Sequence, residues 1–121
     1  MNKEFIEALA EIERDKGVGK EVLLEAIEAA LISAYKKNFG SNQNVGVNIS
    51  RHSGEVRVYS RKLIVENVLD EKCEIAFSEA TQKYPERNLG DFIEFEITPR
   101  DFGRIAAQTA KQVVVQRIRE A

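Results

Sequence analysis

The sequence predicts an α+β fold, in which a helical body of two N-terminal helices plus a long C-terminal helix carries a small, mainly antiparallel β-containing head. Three observations predict it. Apolar residues recur at helical spacing up to Asn38, the period falls to two between Asn44 and about residue 97, and helical spacing returns after Asp101. The body is thereby assigned to about residues 1–40 and 99–121, and the head to about 42–97.

Each element has its own local cause. Phe5, Ile6, Leu9 and Ile12 recur at helical spacing before Gly17, a good C-terminal stop, so residues 3–16 form an amphipathic helix. A second helix runs from about Lys20 to Asn38. Leu23, Leu24, Ile27, Ala30, Leu31, Ala34 and Tyr35 share one arc of it, and Val22, Ala26, Ala29 and Ser33 form a small-residue face opposite. Small residues admit a close helix, which predicts a central helix packed on two sides. Val45, Val47 and Ile49 then alternate with polar residues, Arg51-His52-Ser53-Gly54-Glu55 supplies a turn, and Val56 and Val58 alternate on the return, giving a hairpin over 44–60 that Arg61 to Val65 can prolong. Cys73 and Ile75 mark a third strand, Ser78 to Lys83 a short helix stopped at Tyr84-Pro85, and Asn88 to Asp91 a turn. In the last strand Ile93, Phe95 and Ile97 face inward while Phe92, Glu94 and Glu96 face out. Asp101 is a suitable N-cap for a helix that buries Phe102, Ile105, Ala106, Thr109, Ala110 and Val113. That helix continues to Ala121 without a stop signal, and Arg117 falls within its apolar arc. Both features predict one domain, residues 1–121, from a longer multidomain protein.

Composition narrows the function classes. With 121 residues, 43% hydrophobic and 31% charged, the chain has the makeup of a globular domain able to bury a core unaided. No apolar run approaches the roughly 20 residues of a membrane span. A single cysteine excludes an internal disulfide and points to a reducing, cytoplasmic compartment. The formal charge of −2 is an average over blocks: −4 over residues 1–30, +5 over 31–64, −6 over 65–98 and +3 over 99–121. Such local fields survive physiological salt over about 10 Å, so the blocks matter more than the total.

No catalytic or metal-binding pattern emerges. His52 lies in a predicted turn without triad partners, and Cys73 reads as a small core residue. Glu21, Glu25 and Glu28 follow an exposed helix edge, Glu94 and Glu96 an exposed strand face, and both sets read as solvated. Gly17-Val18-Gly19-Lys20 lacks the spacing of a P-loop. The expectation is a non-enzyme without cofactor or metal.

The informative constellation is in the last helix. Arg104, Gln108, Lys111, Val115 and Arg119 project within a sector of about 80°, opposite the apolar arc. Arg104 in the first turn is disfavoured by the macrodipole by about a few tenths of a kcal/mol, and Gly103 beside it is a poor helix former. Local rules broken in this way tend to coincide with function. Lys36 and Lys37, at the end of the second helix, extend the same positive surface if the two helices pack together, and the hairpin adds Arg51, Arg57, Arg61 and Lys62 around Tyr59. Cations without a base-reading motif suit phosphate-backbone contact, and the acidic block suits a protein partner. The residues themselves therefore lead to an interaction module with some RNA or DNA contact. A non-nucleic-acid adaptor that oligomerises through the small-residue helix face is the alternative.

Ile27 to Phe39 (IEAALISAYKKNF) and, above all, Asp101 to Ala121 (DFGRIAAQTAKQVVVQRIREA) closely resemble the N-terminal domain of the bacterial transcription elongation factor NusA, in its Gram-positive form. The resemblance extends over the whole chain. It implies a polymerase-binding domain that docks near the RNA exit channel on the flap tip of the β subunit, enhances hairpin-dependent pausing and supports termination and antitermination. It further implies that Lys37, Arg104 and Lys111, with Lys36 and Gln108 beside them, face the nascent RNA hairpin. Arg100, Tyr59 and Arg61 are the candidate protein-partner residues, and the isolated domain is expected to be a monomer. The S1 and KH domains that carry most of that family's RNA binding have no counterpart here, since no Gly-x-x-Gly loop occurs.

Overall fold

A computed structural model of the chain describes residues 2–40 and 44–120. Helix α1 (Lys3–Lys16) starts at Asn2, whose Oδ1 accepts the Phe5 N–H at 3.0 Å, and ends at Gly17, whose φ of 73° lets its N–H turn back to the Glu13 carbonyl. Helix α2 (Lys20–Phe39) follows after three residues. Its N-cap Gly19 has no side chain to offer, and the Glu13 carboxylate of α1 takes that role, accepting the Lys20 N–H at 2.6 Å.

Strands β1 (Val45–Ile49) and β2 (Val56–Val65) form the expected hairpin, β3 (Glu74–Ala76) and α3 (Phe77–Lys83) follow, and β4 (Phe92–Glu96) leads into α4 (Phe102–Glu120). The long strand β2 is the spine of the sheet. Along one edge it pairs antiparallel with β1, from Val56 opposite Ile49 to Ser60 opposite Val45, and then parallel with β3, Leu63 opposite Glu74. Along the other it pairs antiparallel with β4, Tyr59 opposite Glu96 and Leu63 opposite Phe92. The backbone bonds show the two edges: Arg61 and Leu63 donate N–H to the Asn44 and Cys73 carbonyls, whereas Ile64 donates to Asp91 and the Val58 carbonyl accepts from Ile97. Adding β3 in parallel makes the sheet mixed. Such a pairing needs a crossover, here residues 66–73, and gives no local sequence signal.

Two cores result. The larger joins Ile6 and Leu9 of α1, five residues of α2 from Leu23 to Tyr35, Val45, Ile49 and Val58 of the sheet, and Phe102, Ala106 and Ala110 of α4. The smaller, under α3, joins Ile64, Ala80 and Ile93. Each large side chain taken out of water adds about 1.5–3 kcal/mol, and the larger core collects most of them. Helix α2 is central as expected, in contact with α1, β1 and α4.

Several expectations are corrected. The small-residue face of α2 is only partly covered: Ala26 is half-buried, while Val22, Ala29 and Ser33 stay exposed because α4 packs to one side of it. Cys73 immediately precedes β3 and is half-buried. Ile97 lies beyond the end of β4. Asp101 immediately precedes α4 as expected, and its carbonyl accepts the Arg104 N–H at 3.3 Å. The opening residues of the head, 42 and 43, and the continuation of α4 to Ala121 lie outside the described residues.

Candidate functional site

Three aromatic rings set the geometry of the basic region. Tyr35 and Phe39, one turn apart on α2, stack with centroids 4.9 Å apart, and Phe102 meets Tyr35 edge-on at 5.9 Å and Phe39 at 6.4 Å. Such pairs prefer these offset and edge arrangements, so they orient as well as bind. The end of α2 is thereby locked to the start of α4, which brings Lys36 and Lys37 to the helix that carries Arg104.

Between the two helices runs a groove of about 560 Å³. Ala30 and Ala34 line it on α2 and Ile105 and Thr109 on α4, with Lys37 and Gln108 on opposite sides. Small residues on both helices keep it shallow. Arg104 lies one turn before Gln108, and Lys111 one turn after it, beside Val115 and Arg119 in an adjoining hollow. Arg104, Gln108 and Lys111 are exposed as expected, and so is Lys37. Lys36 does not line the groove and is half-buried.

Charge pairing separates this region from the hairpin. Among the described residues, Lys36, Lys37, Arg100, Arg104 and Lys111 form no ion pair. Arg51 and Arg57, counted with the positive surface on sequence grounds, do not belong to it. The Arg51 guanidinium bridges two carboxylates of α2, reaching Glu21 at 2.6 Å and Glu28 at 2.8 Å. Its pKa is driven up by hydrogen bonds to Glu21 and Glu28, and the same bond holds the Glu21 carboxyl below its usual range. Glu21 and Glu28 are therefore not solvated bystanders; the spacing of seven that placed them on one edge is what lets one guanidinium span both. Arg57 is held by Glu55 at 3.3 Å and by Glu96 across the sheet at 3.8 Å.

The outward face of the sheet holds the remaining candidates. Tyr59 and Arg61 line a depression of about 460 Å³ with Gly46 and Glu94. Arg61 stacks over Phe92 with its Cζ 4.1 Å from the ring centroid, which accounts for an aromatic residue on a polar strand face. Arg100 comes from a different element, the turn before α4, and is exposed. His52 is exposed in the hairpin turn. Among the described residues no three His, Cys, Asp or Glu side chains are placed to hold a metal ion, and no helix is long and apolar enough to cross a membrane.

Gln112 and Gln116 were missed from sequence. Gln112 lines the groove beside Gln108, and both Gln112 and Gln116 line the adjoining hollow. The four-residue spacing of Gln108, Gln112 and Gln116 was the available signal.

Fold and groove together define the class: an α+β domain whose exposed cations, unpaired among the described residues, flank an interhelical groove. The chain belongs to the NusA N-terminal domain family, whose model matches residues 4–121. It is 55% identical over 121 residues to the transcription termination/antitermination protein NusA of Bacillus subtilis, covering all of this chain and 33% of that protein. It is 37% identical over 131 residues to the corresponding protein of Thermus thermophilus, covering all of this chain and 34% of that one. The chain thus spans about a third of the length of these relatives. The solution structure of the N-terminal domain of NusA from B. subtilis superposes with a TM-score of 0.85 at 55% identity, over 99% of this chain and 97% of that one.

Proposed function

We propose that this chain is a single, non-catalytic RNA-polymerase-binding domain that docks on the β flap near the RNA exit channel and turns its cationic groove toward the nascent RNA hairpin. Lys37, Arg104 and Lys111, with Lys36 and Gln108 beside them, contact the hairpin's phosphate backbone. Arg100, Tyr59 and Arg61 are the candidate residues on the polymerase side. The domain acts as a monomer in the cytoplasm, within the termination and antitermination machinery after which its relatives are named.

The observation that carries this reading is the contrast in pairing: the hairpin arginines Arg51 and Arg57 are held by carboxylates, whereas among the described residues Lys36, Lys37, Arg104 and Lys111 form no ion pair. An exposed cation held beside others by rigid helices retains its full attraction for phosphate. Contacts made only when a hairpin has formed favour the paused state by population shift. Two or three of them supply about 1–3 kcal/mol, roughly 5- to 150-fold in pause occupancy.

Arg104→Ala with Lys111→Ala tests this by pause lifetime at a hairpin-dependent site, measured alongside polymerase affinity. Shortened pausing at unchanged affinity is expected. Unchanged pausing overturns the RNA-facing role, and lost polymerase binding transfers both residues to the protein interface. The adaptor reading draws on the exposure of Val22, 54%, beside Ala29 and Ser33; a tight homodimer in sedimentation would favour it.

A further inference from the structure

Leu69 is 92% exposed, more than any other large apolar side chain described, yet its backbone is tied down. The Glu74 carboxylate accepts the Leu69 N–H at 2.9 Å and the Asp70 N–H at 3.1 Å, and the Asp70 carboxylate accepts the Lys72 N–H at 3.0 Å. Glu74 stands in a cross-strand row with Leu63 and Phe92, on the sheet face turned away from the buried Ile64 and Ile93. No described helix covers that face at this end. The row runs from Phe92, 42% exposed under its Arg61 cap, through half-buried Leu63 to the Glu74 carboxylate that fastens Leu69.

An ordered leucine held out into water loses little further conformational freedom on docking, and preorganisation of this kind raises affinity. The chemistry around it selects the partner. Glu66, Asp70 and Glu71 are exposed within the same loop and outnumber its one exposed cation, Lys72, in the segment 65–98 that carries a net −6. That field repels nucleic acid and attracts a cationic polypeptide.

We propose that the Leu69 loop, with Leu63 and Phe92, is a docking surface for a cationic, apolar-bearing protein segment of the transcribing polymerase, separate from the groove between α2 and α4. This rests on the reading of the chain as a polymerase-binding domain. The partner segment presents an apolar pocket to Leu69 and a lysine- or arginine-rich rim to Asp70 and Glu71.

The test places a photocrosslinking amino acid at position 69 in one sample and at position 111 in another, each bound to an assembled elongation complex carrying a nascent RNA hairpin. Position 69 is expected to crosslink to a polymerase subunit at a segment of net positive charge. In parallel, Leu69→Ser is expected to weaken polymerase binding by about tenfold, the effect of losing an interface anchor, and Asp70→Lys with Glu71→Lys to slow association. Circular dichroism serves as the folding control, since all three side chains are exposed. Crosslinks from position 69 to RNA, or undiminished binding by Leu69→Ser while the wild-type chain binds, overturn this inference alone. Failure of the wild-type chain to bind polymerase overturns the parent reading and this one together.

Discussion

Arg51 and Glu28 meet through two hydrogen bonds, Nη1 to Oε2 at 2.8 Å and Nη2 to Oε1 at 3.3 Å, and the same Glu28 Oε2 accepts the Ile49 N–H at 2.8 Å. A side chain of the hairpin turn and a side chain of α2 thus fasten the sheet to the body, and Glu28 satisfies an N–H on β1, whose only strand partner among the described residues is β2. Arg51 completes the clamp through Glu21 and its own bond to the Ile49 carbonyl at 2.8 Å.

Arg51→Met keeps much of the aliphatic stem and removes the charge, leaving half-buried Glu28 without its cation. A loss of about 1–2 kcal/mol at neutral pH is expected, discounted for the partial exposure of the pair. Because Arg51 holds the Glu21 carboxyl below its ordinary value, the Arg51–Glu21 part of the clamp is present above the usual carboxylate range and is lost as pH falls through the folded-state pKa of Glu21. Urea unfolding at neutral pH and near pH 3 should therefore show the gap between wild type and variant narrowing in acid. A gap that stays constant would contradict the clamp.

The aromatic cluster carries the opposite pH dependence. Burial raises the Tyr35 phenol above its ordinary pKa. The folded state then holds this proton longer than the unfolded chain, so the stabilisation is complete below about pH 10 and lost as pH rises through the folded pKa. Tyr35→Phe is expected to match the wild type at neutral pH and to lose less stability between pH 9 and 11, read by thermal unfolding. Phe102→Ala, which empties the centre of the cluster, is expected to cost about 3–5 kcal/mol.

Two glycines give opposite outcomes for the same substitution. Gly54 has φ of 74°, and a Cβ there would stand 2.3 Å from the Asn2 carbonyl oxygen, so Gly54→Ala is expected to destabilise by about 2 kcal/mol or more. Gly103 lies in the first turn of α4 with open space around its Cα. Gly103→Ala is expected to add about 0.5–1 kcal/mol. Denaturant midpoints compare the two, and a destabilised Gly103→Ala would mean that this turn departs from ordinary helix.

Salt dependence separates paired from unpaired cations. In binding of an RNA hairpin followed by fluorescence anisotropy, Arg104→Ala and Lys111→Ala are each expected to reduce the slope of log K against log salt by about 0.7–0.9. Arg57→Ala, whose charge Glu55 and Glu96 already offset, is expected to leave it unchanged. Equal effects from all three would remove the distinction on which the groove rests.

Local chemistry made most of the fold legible. Gly17 marked the end of α1, the change of period at Asn44 marked the hairpin, and the Arg104–Gln108–Lys111 stripe stood out because it breaks helix-end preferences while facing away from the apolar arc. Each is an interaction among residues a few positions apart, and such interactions are written in spacing. The whole-chain resemblance to the NusA N-terminal domain was equally visible, carried above all by the terminal helix.

The tertiary structure alone decided which charges remain available. Arg51 and Arg104 are equivalent as letters, and only folding puts Glu21 and Glu28 against the first while leaving the second unpaired among the described residues. It also decided that β3 joins β2 in parallel, that Glu13 caps the next helix, and that Arg61 covers Phe92. All depend on atoms brought together from separate elements, where direction and distance in space, rather than period along the chain, determine the energy.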